Sequence, residues 1–409
     1  MRAGNQASVK TVIGSQYFLY FGVLGVFLPY FNLYCYHLGF SGLQIGALSA
    51  LRSVAMVLFP LVWGALADRH NIRRPIYILC NFASTSIWAF YLFTTEFWPM
   101  LIITIFYGMF YAPIISFLEA FTMDALGHAK QSYGRIRVWG SISFILTVTV
   151  LGRVIDLYSV DIILILILAG SLMLASISMR VPGLQTVRKT RFHPGASRLL
   201  QTPVVVFLCC GFLMLVSHGA YYAFFSIHLE NLGYGSTFIG IAWAAAVAAE
   251  IMVMLQSDRL FNRFTLANVL FFSFMVAAGR WLILFYARSP AVILVAQVLH
   301  AVTYGTFHMA SILYIDRLAP DKSKTLGQAV NNALTYGLGL MVGFFVNGLL
   351  YERIGSFDLF LISGLIAVGG GVLFGGFELR TRRKEVKDSA YRRLEPPGSQ
   401  PPSPSKERE

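Results

Sequence analysis

Apolar runs near the length of a bilayer crossing, separated by short polar breaks, fill the chain from residue 11 to residue 379. A helix needs about 20 apolar residues to span the hydrocarbon core. By that measure twelve helical spans are predicted, at 11–36, 42–67, 75–95, 99–125, 135–157, 160–180, 203–229, 236–257, 265–287, 290–315, 325–351 and 356–379. The longest internal polar stretch, 181–202, is basic and marked by Pro182, Pro194 and Gly195. It reads as a cytoplasmic linker between two six-helix halves, 1–180 and 203–379. After Glu378 the sequence turns basic and then into PPGSQPPSPSKERE. Residues 380–409 are therefore expected to form a disordered tail whose basic start favours anionic lipid headgroups.

A polar motif repeats across the two halves. Asp68-Arg69 followed by Arg73 returns 190 residues later as Asp258-Arg259 followed by Arg263, and each copy closes the second apolar run of its half. Self-similarity at about half the chain length predicts two similar units. The expected fold is an all-α integral membrane protein, with twelve transmembrane helices in two pseudo-symmetric six-helix bundles. That is the layout of a secondary transporter, whose substrate site lies between the halves near the midplane.

Composition agrees with a lipid-facing surface. The chain is 56% hydrophobic and 12% charged, against about 25% charged in soluble domains. A net charge of +13 would suit nucleic acid, but the distribution of the basic residues argues for membrane topology and no nucleic-acid partner. One set of loops carries 17 of them and the opposite set only Arg153, Arg288 and Arg353. Basic loops stay cytoplasmic, so both termini are expected on the cytoplasmic side of the inner membrane. Arg2 and Lys10 precede a long span with no cleavage site, so the first helix reads as its own uncleaved signal. Cys35, Cys80, Cys209 and Cys210 form no CxxC motif or disulfide framework.

Catalytic motifs of the HExxH and GxSxG type are missing from the spans. His300 and His308 are eight residues apart, about 12 Å along a helix, too far to share a metal. No enzyme activity, cofactor or metal is expected. The glycines of spans 11 and 12 can pack within one chain, so a monomer is expected.

The segment from Gly64 through Asp68, Arg69, Asn71, Arg73 and Arg74 fits GxxxDRxxxRR. It resembles the loop between helices 2 and 3 of the major facilitator superfamily. Physically it reads as a latch that holds one access state. Gly64 would allow close helix approach, and Asp68 would accept from an arginine or a helix N-terminus. Asn71 stands where the family has glycine, and asparagine tolerates the left-handed backbone next best. The second copy, Asp258, Arg259 and Arg263, is weaker, with Met254 and Phe261 at the glycine positions.

Ionisable residues inside spans are functional candidates, because charge at the bilayer centre costs a few kcal/mol or more. The arginines are Arg52, Arg137 and Arg280; the acids are Glu119 and Glu250, with Asp124 nearer a helix end; His218, His300 and His308 complete the set. Glu119 and Arg137 lie at comparable depth on adjacent antiparallel spans. They read either as an ion pair that a polar ligand replaces or as a structural pair. The stretches 118–124 and 132–144 resemble the oligosaccharide–proton symporters of the lactose permease type, and the resemblance implies that Glu119 and Arg137 contact substrate. It also implies that Glu250, Arg280 and His300 couple protons. His300, Thr303, Tyr304, His308 and Ser311 recur on one helical face. The sugar symporters carry an acid where this chain has Thr303, which leaves Glu250 as the better proton carrier.

Residues 217–240, 249–255, 279–281 and 298–315 resemble the 3-phenylpropionate permease group of that superfamily, with similarity from about residue 15 to 375. The group shares the threonine at position 303. Arg52 and Arg137 predict a positive cavity, and Tyr17, Tyr30, Trp139, Tyr221, Tyr222 and Trp243 could stack a ring. The expected activity is proton-coupled symport of a small organic solute, with an aromatic carboxylate as one candidate. A sugar or nucleoside symporter and a proton-independent exporter or facilitator stay open. The alternatives from other classes, an intramembrane enzyme and a sensor or scaffold descended from a transporter, are not the expected reading.

Overall fold

The computed structural model describes residues 3–127, 133–183, 201–320 and 323–394. The middle of the predicted linker and the end of the predicted tail fall outside the described residues. Among the described residues, twelve apolar helices make up the fold: α1 (Ala3–His37), α2 (Gly42–His70), α3 (Arg73–Trp88), α4 (Phe97–Leu126), α5 (Tyr133–Leu157), α6 (Ile162–Ser178), α7 (Thr202–Asn231), α8 (Ser236–Leu255), α9 (Leu266–Tyr286), α10 (Pro290–Leu318), α11 (324–354) and α12 (356–394). The last two run on as one helix except at Gly355, whose φ of 72° breaks the ladder. Only glycine takes such a backbone without strain.

Local chemistry sets the ends. Ser41 and Gln44 form a reciprocal capping box on α2, and Thr265 caps α9. Asn71 ends α2 with φ 55°, the left-handed turn expected at that position. Both α10 and α11 carry π-helical turns, at Ala301–Thr306 and Asn332–Gly339. Such bulges occur often at functional sites, because they re-aim the side chains beyond them.

The two halves meet through α2 with α11 and α5 with α8. Glycines allow the approach: a Cβ on Gly46 would press on the Phe344 carbonyl, and one on Gly240 on the Val148 carbonyl. Asp156 on α5 caps the N-terminus of α8, accepting from Ser236 N at 2.7 Å and Thr237 N at 2.9 Å. His37 meets Glu230 at 2.7 Å, and Gly42 N donates to Glu352 at 2.7 Å. Nearer the middle, Asn32 donates to the Ala223 carbonyl and Ser53 to the Gly337 carbonyl, both at 3.0 Å. Among the described residues, every hydrogen bond between the halves lies from mid-span to the end away from the basic loops. Among the described residues, the hydrogen bonds that join the halves thus lie towards that far end.

Candidate functional site

A buried polar cluster lies in the C-terminal half. Arg280 on α9 is fully buried. Its Nε donates to the Ala296 carbonyl at 2.7 Å, and its Nη1 to His300 Nδ1 at 2.9 Å and Thr303 Oγ1 at 3.3 Å. A guanidinium can only donate, so Nδ1 of His300 accepts and the ring proton sits on Nε2. That nitrogen faces Glu250 Oε1 at 2.9 Å. His300 is therefore a neutral bridge between a cation and a carboxylate. Tyr221 lies under the guanidinium, 4.3 Å from Cζ to ring centroid, and its hydroxyl donates to Gln297 at 2.8 Å. Tyr222 reaches His300 at 3.4 Å. The rings of His300, Tyr304 and His308 stack down α10, and His308 bonds Tyr336 at 2.7 Å. Ser311, the last member of the predicted face, is buried with its hydroxyl beside Tyr336.

The N-terminal half holds the other two in-span arginines. Arg137 lies over Phe21 at 3.8 Å and beside Tyr17 at 5.6 Å. It does not close to an ion pair with Glu119 within 4.0 Å, so the predicted pair is separated here. Arg52 lies over Phe27 at 4.7 Å. It makes no bond to a backbone carbonyl among the described residues.

Several predicted aromatic contacts are structural. Trp243 is buried, with its indole N–H on Ser226 at 3.0 Å and its ring against Tyr221. Tyr30 is an inter-half anchor, bonded to the carbonyls of Val148 and Ser236. Trp139 is 50% exposed, on a face suited to lipid. Tyr221 and the half-buried Tyr222 are the members of the set that touch the charged cluster.

The loop motif divides in the same way. Arg73 meets Asp68 at 2.7 Å and Asp124 at 3.8 Å, while Arg74 binds the carbonyls of Val181 and Met179 at the end of α6. The turn at Asn71 folds Arg73 back over Asp68. Arg69 joins no ion pair in this network. Gly64 makes no close approach: a Cβ there would meet nothing within 4 Å. The second copy forms no such pair among the described residues. Asp258 and Arg263 sit in a continuous seven-residue helix, Ser257–Arg263, where five residues place them about 140° apart. Arg263 instead packs on Phe264 at 5.6 Å.

Sequence reasoning missed Gln297, Tyr336, Asp156 and the tyrosines around Arg52. Gln297 stood three residues before His300, on the same helical face, and so was findable. Asp156 lay at the end of the predicted span 135–157, and its role as a cap on another helix exists only in three dimensions.

Comparison with known proteins gives the class. The chain is 26% identical over 363 residues to the probable 3-phenylpropionic acid transporter of Escherichia coli (strain K12), covering 86% of this chain and 93% of that one. It is 26% identical to the maltose permease of Geobacillus stearothermophilus, covering 87% and 91%. The crystal structure of the nucleoside transporter NupG superposes with a TM-score of 0.79 at 18% identity, over 90% of this chain and 98% of that one. That likeness shows the fold. The model of the MFS_1-like family matches residues 11–362, and the chain belongs to that family: it is a multi-pass membrane transporter of the major facilitator type for a small-molecule solute, and not an enzyme.

Proposed function

We propose that the protein is a monomeric proton symporter that takes up a small aromatic carboxylate across the cytoplasmic membrane by alternating access. Both termini and the basic loops face the cytoplasm in this reading. The Glu250–His300–Arg280 bridge carries the proposal. With Glu250 ionised, its charge cancels that of Arg280. A proton on Glu250 removes that charge and leaves the cavity one unit more positive. An anionic solute then binds more strongly, so proton binding favours substrate binding, and linkage makes the effect reciprocal. The hydrogen bonds between halves, which among the described residues gather towards the far end, suit a state open to the cytoplasm. Release there would let Glu250 lose its proton and re-form the bridge.

Arg52 and Arg137 add positive charge to the N-terminal half and support an anionic substrate, as does the likeness to the probable 3-phenylpropionic acid transporter of Escherichia coli. A second reading, a sugar or nucleoside symporter, draws support from the open Glu119–Arg137 pair, which a hydroxylated solute could bridge. Thr303 in place of an acid keeps a proton-independent exporter or facilitator as the third.

The test is uptake of labelled 3-phenylpropionate, maltose and a nucleoside into proteoliposomes, with and without an imposed pH gradient. Accumulation of 3-phenylpropionate only with the gradient is expected. Accumulation of a neutral solute alone overturns the carboxylate assignment, and accumulation that ignores the gradient overturns the coupling.

A further inference from the structure

We propose that Arg52 and the tyrosines around it form a carboxylate-reading subsite of the transport cavity, distinct from Arg137. The proposal rests on the carboxylate reading above and assigns one residue set to one end of the substrate.

The three in-span arginines differ in what they already hold. Arg280 donates to Ala296, His300, Thr303 and Gln297. Arg137 has the Glu119 carboxylate as a charged neighbour. Arg52 makes no hydrogen bond and no ion pair among the described residues. It lies over the face of Phe27, and the ionisable groups around it are Tyr111, Tyr107, Tyr20 and Tyr91. A guanidinium within a membrane span and without an anion is costly. Its five donors match the two oxygens of a carboxylate.

The surroundings add a second signal. Tyr20, Tyr111 and Tyr107 stack in series at 5.3 and 4.9 Å. The Tyr111 hydroxyl is buried beside the Tyr20 hydroxyl and makes no hydrogen bond of full geometry; Tyr111 itself is 9% exposed. Buried polar groups are normally satisfied. A phenol O–H can donate to a carboxylate oxygen that the guanidinium leaves free.

Position completes the case. Arg52 is one turn beyond Ser49, whose hydroxyl pairs with Asn32, and Asn32 reaches the Ala223 carbonyl on α7. The preceding residue, Tyr222, touches His300. A short arylalkyl acid with its carboxylate at Arg52 would therefore direct its ring towards Tyr222 and the proton-carrying cluster. Such a ligand contacts both halves, which is what couples binding to their relative motion.

The experiment measures affinities of the full chain in detergent for 3-phenylpropionate and for its neutral amide. Wild type should prefer the acid. Arg52→Gln should weaken the acid at least about tenfold and leave the amide within about twofold. Tyr111→Phe should weaken the acid several-fold and keep amide binding. Arg137→Gln should lower the acid-to-amide ratio much less than Arg52→Gln does. If Arg52→Gln does not fold, Tyr111→Phe, which retains the cation, decides. An acid-to-amide ratio unchanged in the Arg52 or Tyr111 variant overturns the subsite while the carboxylate reading stands. Wild type that binds maltose or a nucleoside and neither phenyl compound overturns both.

Discussion

Glu250 on α8 meets His300 on α10 at 2.9 Å, through the one imidazole nitrogen that Arg280 leaves free to donate. The histidine is locked as a neutral relay. The carboxylate is the member of the cluster that can gain a proton without placing a second cation against the guanidinium.

Glu250→Gln imitates the protonated acid in shape and charge. The variant is expected to bind substrate and to exchange labelled for unlabelled solute across proteoliposomes. It should not accumulate solute when a pH gradient is imposed. Full gradient-driven accumulation by this variant would falsify the coupling role of Glu250.

Arg73 ties Asp68 to Asp124 at the basic end of the N-terminal half. The Asp68 side chain is 40% exposed, and exposed pairs contribute only about 0–1 kcal/mol. Arg73→Ala should therefore barely change thermal stability, yet slow turnover several-fold if the network opens and closes in the cycle. Transport at the wild-type rate would remove the latch from the mechanism.

Asn71 holds its left-handed backbone without help from glycine. Asn71→Gly should be tolerated. Asn71→Val should cost about 1–2 kcal/mol and lower the melting temperature in detergent. Equal melting temperatures for the two variants would mean that the turn rearranges freely.

Gly240 lets α8 lie against the Val148 carbonyl of α5. Gly240→Val should hold the far end apart. A cysteine introduced at Ala223, now buried, should then react with an impermeant maleimide from the extracytoplasmic side. Protection equal to that in the Gly240 background would show that closure does not depend on this contact.

The sequence was most legible where one residue's chemistry suffices. Asn71 was readable because left-handed backbone has few tolerant residues. Gly64 misled because its lack of a side chain permits approach and does not require it. The repeat at Asp258–Arg263 matched in letters but not in geometry, since a helix replaced the turn that brings Arg73 onto Asp68. Trp243 was indistinguishable from a cavity aromatic, because a core ring and a substrate platform have the same composition.

Span number, the two-half layout, the one-sided placement of basic loops and the identity of the in-span charges were set by the sequence alone. Each follows from length, hydrophobicity or the cost of charge in lipid. Which groups those charges meet was decided only in the tertiary structure. A helix in a bilayer is apolar towards lipid as well as towards its neighbours. Its pattern therefore does not say which face packs on which partner. The His300 bridge, the isolation of Arg52 among tyrosines and closure at the end away from the basic loops all depend on that packing.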